Sequence, residues 1–453
     1  MAIRFLRKPV EWGIEPVPLG KRNLRAVDLG VLWFNLGVGL LVLYAGTFIT
    51  PFGFGLGPLL LTALAGSAIG SLLLAGAGVL GSKYGVPTMV SLRPIFGSRG
   101  SYVPTVVNAA QLFGWTALEV WVMSVAATAL SGPILGATTG VFWAVVFGAF
   151  CGLLAWGGPL VVVREWLERV GLWLVLGSAS WMTFRLAADP GLASALPMWG
   201  GDWTRIGLAL DLVVAMPISW WPLVSDYSRF AQSPRRGFLG TTLGYVAANT
   251  WFYTLGAVMF LALALTDASE VFAGAIVSVF GGLALLAILA DETDNGFADI
   301  YSASVSIQNL RPKARLARLI PIVTAVGIVA AAFLTGVPRT TVLYYEPFLL
   351  IIGGVFVPML GVVLADTFVV RRAGYSDEEF RDRAPRVRAW AFVAWTLGML
   401  TYFPIFIVNL YGLPMDLGGI NLLGASLPAF ATSGAVYIAA SRLFAPAGER
   451  APS

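Results

Sequence analysis

Twelve stretches of apolar residues, each long enough to cross a bilayer, divide this chain: roughly 28–50, 56–80, 103–130, 138–161, 170–188, 207–225, 239–265, 271–300, 316–335, 344–369, 389–410 and 420–441. The pattern breaks its own rule once. The apolar run from Val271 to Ala290 leads directly into DETDNGFADIYSASVSIQ, which sets Asp291, Glu292, Asp294 and Asp299 at the end of a span. A carboxylate at membrane depth is costly unless a cation, a proton or a hydrogen-bonding ligand answers it, so such residues mark ion or substrate pathways. The competing expectation is that the helix ends at Ala290, already 20 residues long, and leaves the acids in cytoplasmic water.

Two spans carry helix breakers. The first reads LWFNLGVGLL, with Asn35, Gly37 and Gly39; the sixth reads MPISWWPL, with Pro217 and Pro222. The breaks fall at matching depths and five spans apart. That is the pattern of an inverted-repeat transporter, in which freed carbonyls and half-helix ends form a site near the midplane. The expectation is an all-α membrane protein of 12 transmembrane helices. A first five-helix repeat occupies 28–188, a second 207–369 and two additional helices 389–441, with tails at 1–27 and 442–453.

Charge orients this bundle. With the N-terminus in the cytoplasm, all 29 Lys and Arg residues except Arg185, Arg205 and Arg339 fall on the inner side, which predicts a plasma (inner) membrane protein with both termini cytoplasmic. The net charge of +5 is dispersed over connections that face anionic lipid, so lipid is the implied partner and nucleic acid is not. The first 27 residues lack an apolar core, so no cleavable signal is expected. Histidine is absent and Cys151 is the single cysteine, which leaves no nucleophile–base pair or metal cluster for an enzyme and no resident cofactor. No short-period repeat suggests a channel filter. The connection 371–388 reads as a solvated, mixed-charge linker.

The third span, VVNAAQLFGWTALEVW, places Trp115 and Glu119 one turn apart on one face. Trp115 lies ~18 Å into the helix, away from the interfacial belts where membrane tryptophans concentrate. A flat ring beside a carboxyl offers a planar heterocycle one face to stack on and one group to read its edge. On the eighth span Ala290, Thr293 and Asp294 share a stripe, and Glu292 and Asp299 share another. The first stripe, with carbonyls freed around Gly37 and Gly39, forms an oxygen cage suited to a monovalent cation such as Na+; the second sets Asp299 beside Trp115. H+ is the other candidate coupling ion, carried by one of the carboxylates. Carboxyls pair with a ring nitrogen beside an exocyclic amine, whereas imide rings suit Asn or Gln better, so Glu119 and Asp299 favour an aminopyrimidine, with adenine-like purines next. Asp226 with Arg229, and Arg25 with Asp28, are spaced to pair as gate latches.

GVPTMVSLRPIFGSRGS (85–101), QLFGWTALEVW (111–121), AMPISWWPLVSDYSRFA (215–231) and DIYSASVSIQN (299–309) together resemble the nucleobase:cation symporter-1 family, the purine and cytosine permeases. Within it they look closest to the branch proposed to import hydroxymethylpyrimidine. The resemblance covers the first eight spans and implies the LeuT-type fold with alternating access. It implies that Trp115 stacks on the substrate, that Glu119 binds its edge, and that Asp299 stands where a relative carries a substrate-binding amide. Asn35, Gly37, Ser219 and Trp220, at the two breaks, become candidate substrate contacts. A cation site is implied at carbonyls of the first helix with Ala290, Thr293 and Asp294, although Asp294 departs from the hydroxyl expected there. Purines, uracil, hydantoin and allantoin are the other substrates the family implies, and an amino-acid symporter of the same fold is the rival class.

Overall fold

In the computed structural model the described residues are 12–444 apart from 137, 190, 192–195, 266–275, 337–344, 382–383, 412 and 414–418. Residues 271–275 of the expected eighth span, Arg339 and the ends of both tails therefore lie outside them. Among the described residues nine helices are long and apolar enough to cross a membrane, and one bent pair makes a tenth.

That pair is the first span. Helix α1 (Ala26–Asn35) tightens as the Gly37 and Val38 N–H groups donate to the Phe34 and Asn35 carbonyls, and Gly39, at φ +147°, turns the chain into α2 (Leu40–Thr47). Only glycine adopts that φ cheaply, and the two halves meet at 62°. The remaining apolar helices are α3 (Leu56–Tyr84), α4 (Tyr102–Leu135), α5 (Gly140–Gly157), α6 (Pro159–Ala187), α7 (Trp203–Ser228) and α8 (Pro234–Ala262), followed after α9 by α10 (Leu316–Thr335), α11 (Tyr345–Val370) and α12 (Ala389–Tyr411). Helices α9 (Gly282–Leu310) and α13 (Ser426–Phe444) stand at the eighth and twelfth expected spans but are too polar to qualify on apolarity. The sixth span is interrupted more gently than the first. At Trp221–Leu223, where Pro222 supplies no N–H, α7 tightens into one 3-10 turn and runs on.

Helix α8 packs along α1, α2, α3 and, through α3, α7; a second group joins α4, α5, α9 and α10; α11, α12 and α13 form a third. A Cβ on Gly244 would lie 2.3 Å from the Gly30 carbonyl oxygen, and one on Gly256 1.9 Å from that of Leu43. Glycine thus lets α8 hold both halves of the broken span at backbone contact.

Three expectations change. The eighth helix begins at Gly282, and its carboxylates lie near its middle, 0–2% exposed, instead of following a helix end into water. Residues 162–169, expected as a connection, continue α6 as π-helix. The 371–388 connection is docked. Ser98 N–H donates to the Pro385 carbonyl (2.9 Å), Arg388 N–H to that of Phe96 (2.9 Å), and the Tyr84 and Phe380 rings lie 4.8 Å apart. Tyr375 and Phe380 give this segment an apolar face, while Arg371 binds Asp366 (2.7 Å) and Glu379 (2.8 Å).

Candidate functional site

Helices α4 and α9 run antiparallel, tied at one end where the Asn309 amide donates to Thr105 Oγ1 (2.8 Å) and Arg93 Nε donates to Asn309 Oδ1 (2.8 Å). That end lies on the face carrying most of the basic connections, here the basic face. Counting helical rise from it, Trp115 stands ~20 Å deep on α4 and Asp299 ~17 Å deep on α9, so the two share one level. They meet in an enclosed chamber that Glu119, Ser219, Trp220 and Asn295 also line, with Leu36, Val42, Met216 and Leu223 as apolar wall. The space open to the centre of a water is ≈ 10 Å³, room for about one water molecule. A heterocycle therefore enters only when a wall moves.

The polar atoms of the wall are biased toward accepting. Asp299 Oδ2 and Asn295 Oδ1 have no protein partner, because the Asn295 amide N–H is committed to the Val38 carbonyl (3.2 Å) and Ser219 Oγ donates to that of Met216 (2.7 Å). Trp115 Nε1 is the unpartnered donor. Its ring stands edge-on to Tyr345 (5.9 Å) and Phe348 (5.2 Å) of α11.

Glu292, Asn295 and Asp299, at i, i+3 and i+7, form the face that α9 turns toward the break and α4. Glu292 accepts from the Leu40 N–H (2.7 Å), capping the first turn of α2. Its Oε2 lies 2.7 Å from where a Cβ on Gly39 would be, so the glycine both makes the turn and leaves room for the acid.

The structure leaves other candidates elsewhere. Asn35 donates to the Val31 carbonyl (2.7 Å), and its Oδ1, together with Asp291 Oδ1, lies against Gly171 of α6 and not in the chamber wall. Gly37 faces Ala248 and Tyr245 of α8. Thr293 Oγ1 donates to the Ala290 carbonyl (2.7 Å), and Asp294 is fully buried with neither carboxylate oxygen hydrogen-bonded. Among the described residues no three His, Cys, Asp or Glu side chains are grouped to hold a metal ion.

Both faces are shut. On the basic face the expected Asp226–Arg229 pair is replaced by contacts to other segments. Asp226 accepts from the Thr88 N–H (2.9 Å), while the Arg229 guanidinium donates to the Asp226 and Gly13 carbonyls and to the Tyr301 hydroxyl (2.8 Å). The tail joins in, as Leu24 N–H donates to the Phe230 carbonyl and Gln232 N–H to that of Leu24. Arg25 and Asp28 do bond, at 2.8 Å, as a capping pair at the start of α1. On the opposite face Tyr345 closes the chamber: its hydroxyl donates to the Leu41 carbonyl (3.3 Å) and its ring stacks on Tyr44 at 5.6 Å.

Residues the sequence reading passed over are Asn295, Tyr345 and the cap made by Glu292. The i, i+3, i+7 spacing on the eighth span was the available signal for the first and third; nothing local marks Tyr345.

A helical membrane bundle around a sealed polar chamber, beside a broken helix, defines a secondary transporter. Residues 16–433 match the family of permeases for cytosine/purines, uracil, thiamine and allantoin, and the chain belongs to that family. It is 25% identical to the putative purine-cytosine permease YxlA of Bacillus subtilis (strain 168) over 88% of each chain. It is 22% identical to the hydantoin permease of Microbacterium maritypicum over 84% of this chain and 80% of that one. It is 24% identical to the cytosine permease of Escherichia coli (strain K12) over 79% and 81%. Its fold matches Mhp1, a nucleobase-cation-symport-1 family transporter solved closed with bromovinylhydantoin bound, at TM-score 0.77 and 18% identity over 95% of both chains. A Na+-coupled sialic acid symporter shares the fold at TM-score 0.66 and 16% identity, over 98% of this chain and 94% of that one. The chain is thus a membrane transporter of LeuT-type fold, not an enzyme.

Proposed function

We propose that this transporter is a cation-coupled importer of an aminopyrimidine such as hydroxymethylpyrimidine or cytosine, working by alternating access in the plasma membrane with both termini cytoplasmic. The repeats 28–188 and 207–369 form its moving parts, with 389–441 appended. The reading is carried by one observation: Trp115, Glu119 and Asp299 share a chamber whose unpartnered side-chain oxygens on Asn295 and Asp299 wait for donors. An exocyclic amine supplies two N–H donors beside a ring nitrogen, and the indole supplies the stacking face. A second reading, an imide ring such as uracil or hydantoin, is favoured by the presence of Asn295. It is the weaker one, because one of the two Asn295 N–H donors that would answer an imide oxygen is already bound to Val38.

We assign the driving ion to the region between the broken first span and α9, with Gly39, Ala290, Thr293 and Asp294 as its proposed ligands; Na+ and H+ are both compatible with that oxygen set. The test is a thermal-shift panel of pyrimidines, purines and hydantoins on purified protein, with and without sodium. Aminopyrimidines are expected to raise the melting temperature most, and Glu119→Ala and Asp299→Ala to abolish the rise. A full shift in both variants, or a shift with hydantoins alone, overturns the reading.

A further inference from the structure

The chamber has room for about one water molecule, so any ring that binds displaces part of its wall. Most of that wall is held. The Trp115 ring abuts Tyr345 and Phe348, the Asn295 amide is bonded to Val38, and Ser219 Oγ is bonded to the Met216 carbonyl. The backbone around Met216 is fixed as well. Pro217 packs so closely on α3 that a Cβ on Gly70 would lie 2.2 Å from its Cγ, and the Gln111 amide of α4 donates to the Ser219 carbonyl (3.3 Å). The Met216 side chain differs. It is 3% exposed and lines the chamber, where its sulfur meets the Tyr345 hydroxyl at 3.5 Å. Of the apolar wall residues Leu36, Val42, Met216 and Leu223, it alone is unbranched, with the rotatable bonds and polarizable sulfur that let a side chain change shape at little cost.

We propose that Met216 is a specificity-determining residue that sets ring size: its thioether arm fills the empty chamber, yields to a single six-membered ring, and leaves no room for a fused bicyclic one. The proposal rests on the reading that this chamber receives the heterocycle. The arm is soft but its retreat is limited. Its backbone is pinned by Pro217 and Ser219, and its sulfur already touches Tyr345, so an oversized ring pushes the arm against the residue that closes the chamber. Edge chemistry and ring size are then read by different groups, Glu119 and Asp299 for the first and Met216 for the second. A methionine that only supported the fold would change the binding of small and large rings together.

The experiment measures equilibrium binding of four ligands to purified full-length protein, unmodified or carrying Met216→Ala, Met216→Val or Met216→Leu. Cytosine and adenine present the same pairing of ring nitrogen and exocyclic amine on a small and a large ring; uracil and xanthine are the imide pair of the same two sizes. The unmodified protein is expected to bind cytosine at least about tenfold tighter than adenine, the discrimination that misfit in an apolar pocket supplies. Alanine removes about as many heavy atoms as the second ring adds, and is expected to cut that preference about tenfold or more by tightening adenine, with cytosine changed less than about threefold. Valine is expected to act in the same direction to a smaller extent, and carries the test if alanine does not fold. Leucine keeps the volume, so the preference is expected to stay within about threefold. Adenine bound as tightly as cytosine by the unmodified protein, a preference unchanged in both small variants, or one lost equally in the leucine variant overturns the proposal. Uracil bound in place of cytosine overturns the aminopyrimidine reading instead, and the uracil-to-xanthine preference then decides the role of Met216. Binding of none of the four overturns both.

Discussion

The two closures of the chamber are built from different materials. On the basic face, Asp226, Arg229, Thr88, Tyr301 and the tail residues Gly13 and Leu24 cross-link four segments by hydrogen bonds, several to ionised groups. On the opposite face, among the described residues, Tyr345 lies across α2, its hydroxyl against the Leu41 carbonyl (3.3 Å) and Met216 Sδ (3.5 Å) and its ring against those of Tyr44 and Phe48. Hydrogen bonds to charged groups contribute roughly 1.5–3 kcal/mol each, a neutral one about 1, and a ring pair about 0.5–1.5. The basic face is therefore the thick closure and the other the thin one. A transporter built this way opens first where one aromatic side chain swings aside, and last where a network has to be dismantled.

The largest effect is expected from Arg229→Ala, which leaves the Gly13 carbonyl and Tyr301 hydroxyl without their donor. Loss of about 2–3 kcal/mol of closure predicts a fall in turnover on the order of 30-fold, measured as uptake into proteoliposomes, with equilibrium binding changed less than threefold. A thiol placed by Ser302→Cys in a Cys151→Ala background should become reachable from the basic face. Asp226→Asn keeps an oxygen for Thr88 N–H and should slow turnover less than Arg229→Ala. A change confined to the binding constant in either variant breaks the comparison.

Tyr345→Ala comes next. Removing the ring should speed substrate release about tenfold, read as dissociation of labelled substrate, while Tyr345→Phe, which loses one 3.3 Å hydrogen bond, should change it less than about fivefold. Equal effects of the two would show that the hydroxyl, not the ring, is the closure. The smallest effect is expected from Arg25→Ala. Arg25 is 62% exposed, and its buried partner Asp28 keeps the Arg164 guanidinium at 3.9 Å when Arg25 is removed, so transport should change less than about threefold. A larger loss would make the start of α1 part of the thick closure.

Much of this was legible along the chain. The break at Gly39, the shared face of Trp115 and Glu119, and the family all follow from local order, and the fold class inferred from them holds. The eighth span was misplaced because its first apolar residues and its acids read as one run followed by a polar end. The helix begins at Gly282, so the acids sit at mid-depth, where packing against α4, α5 and the break buries them. The 371–388 connection looked solvated because its charges alternate; the Tyr84 ring and the Phe96 and Ser98 backbone that dock it lie far away in sequence.

By itself the sequence determined what repeats locally: apolar length, the glycine that permits φ +147°, and side chains three, four or seven residues apart on one helix. Tertiary structure alone decided which of the buried acids meet. Glu292 and Leu40 are 252 positions apart, Tyr345 and Leu41 304, and Arg229 and Gly13 216. Helical period states which way a side chain points; only the docking of one helix on another states what it finds there.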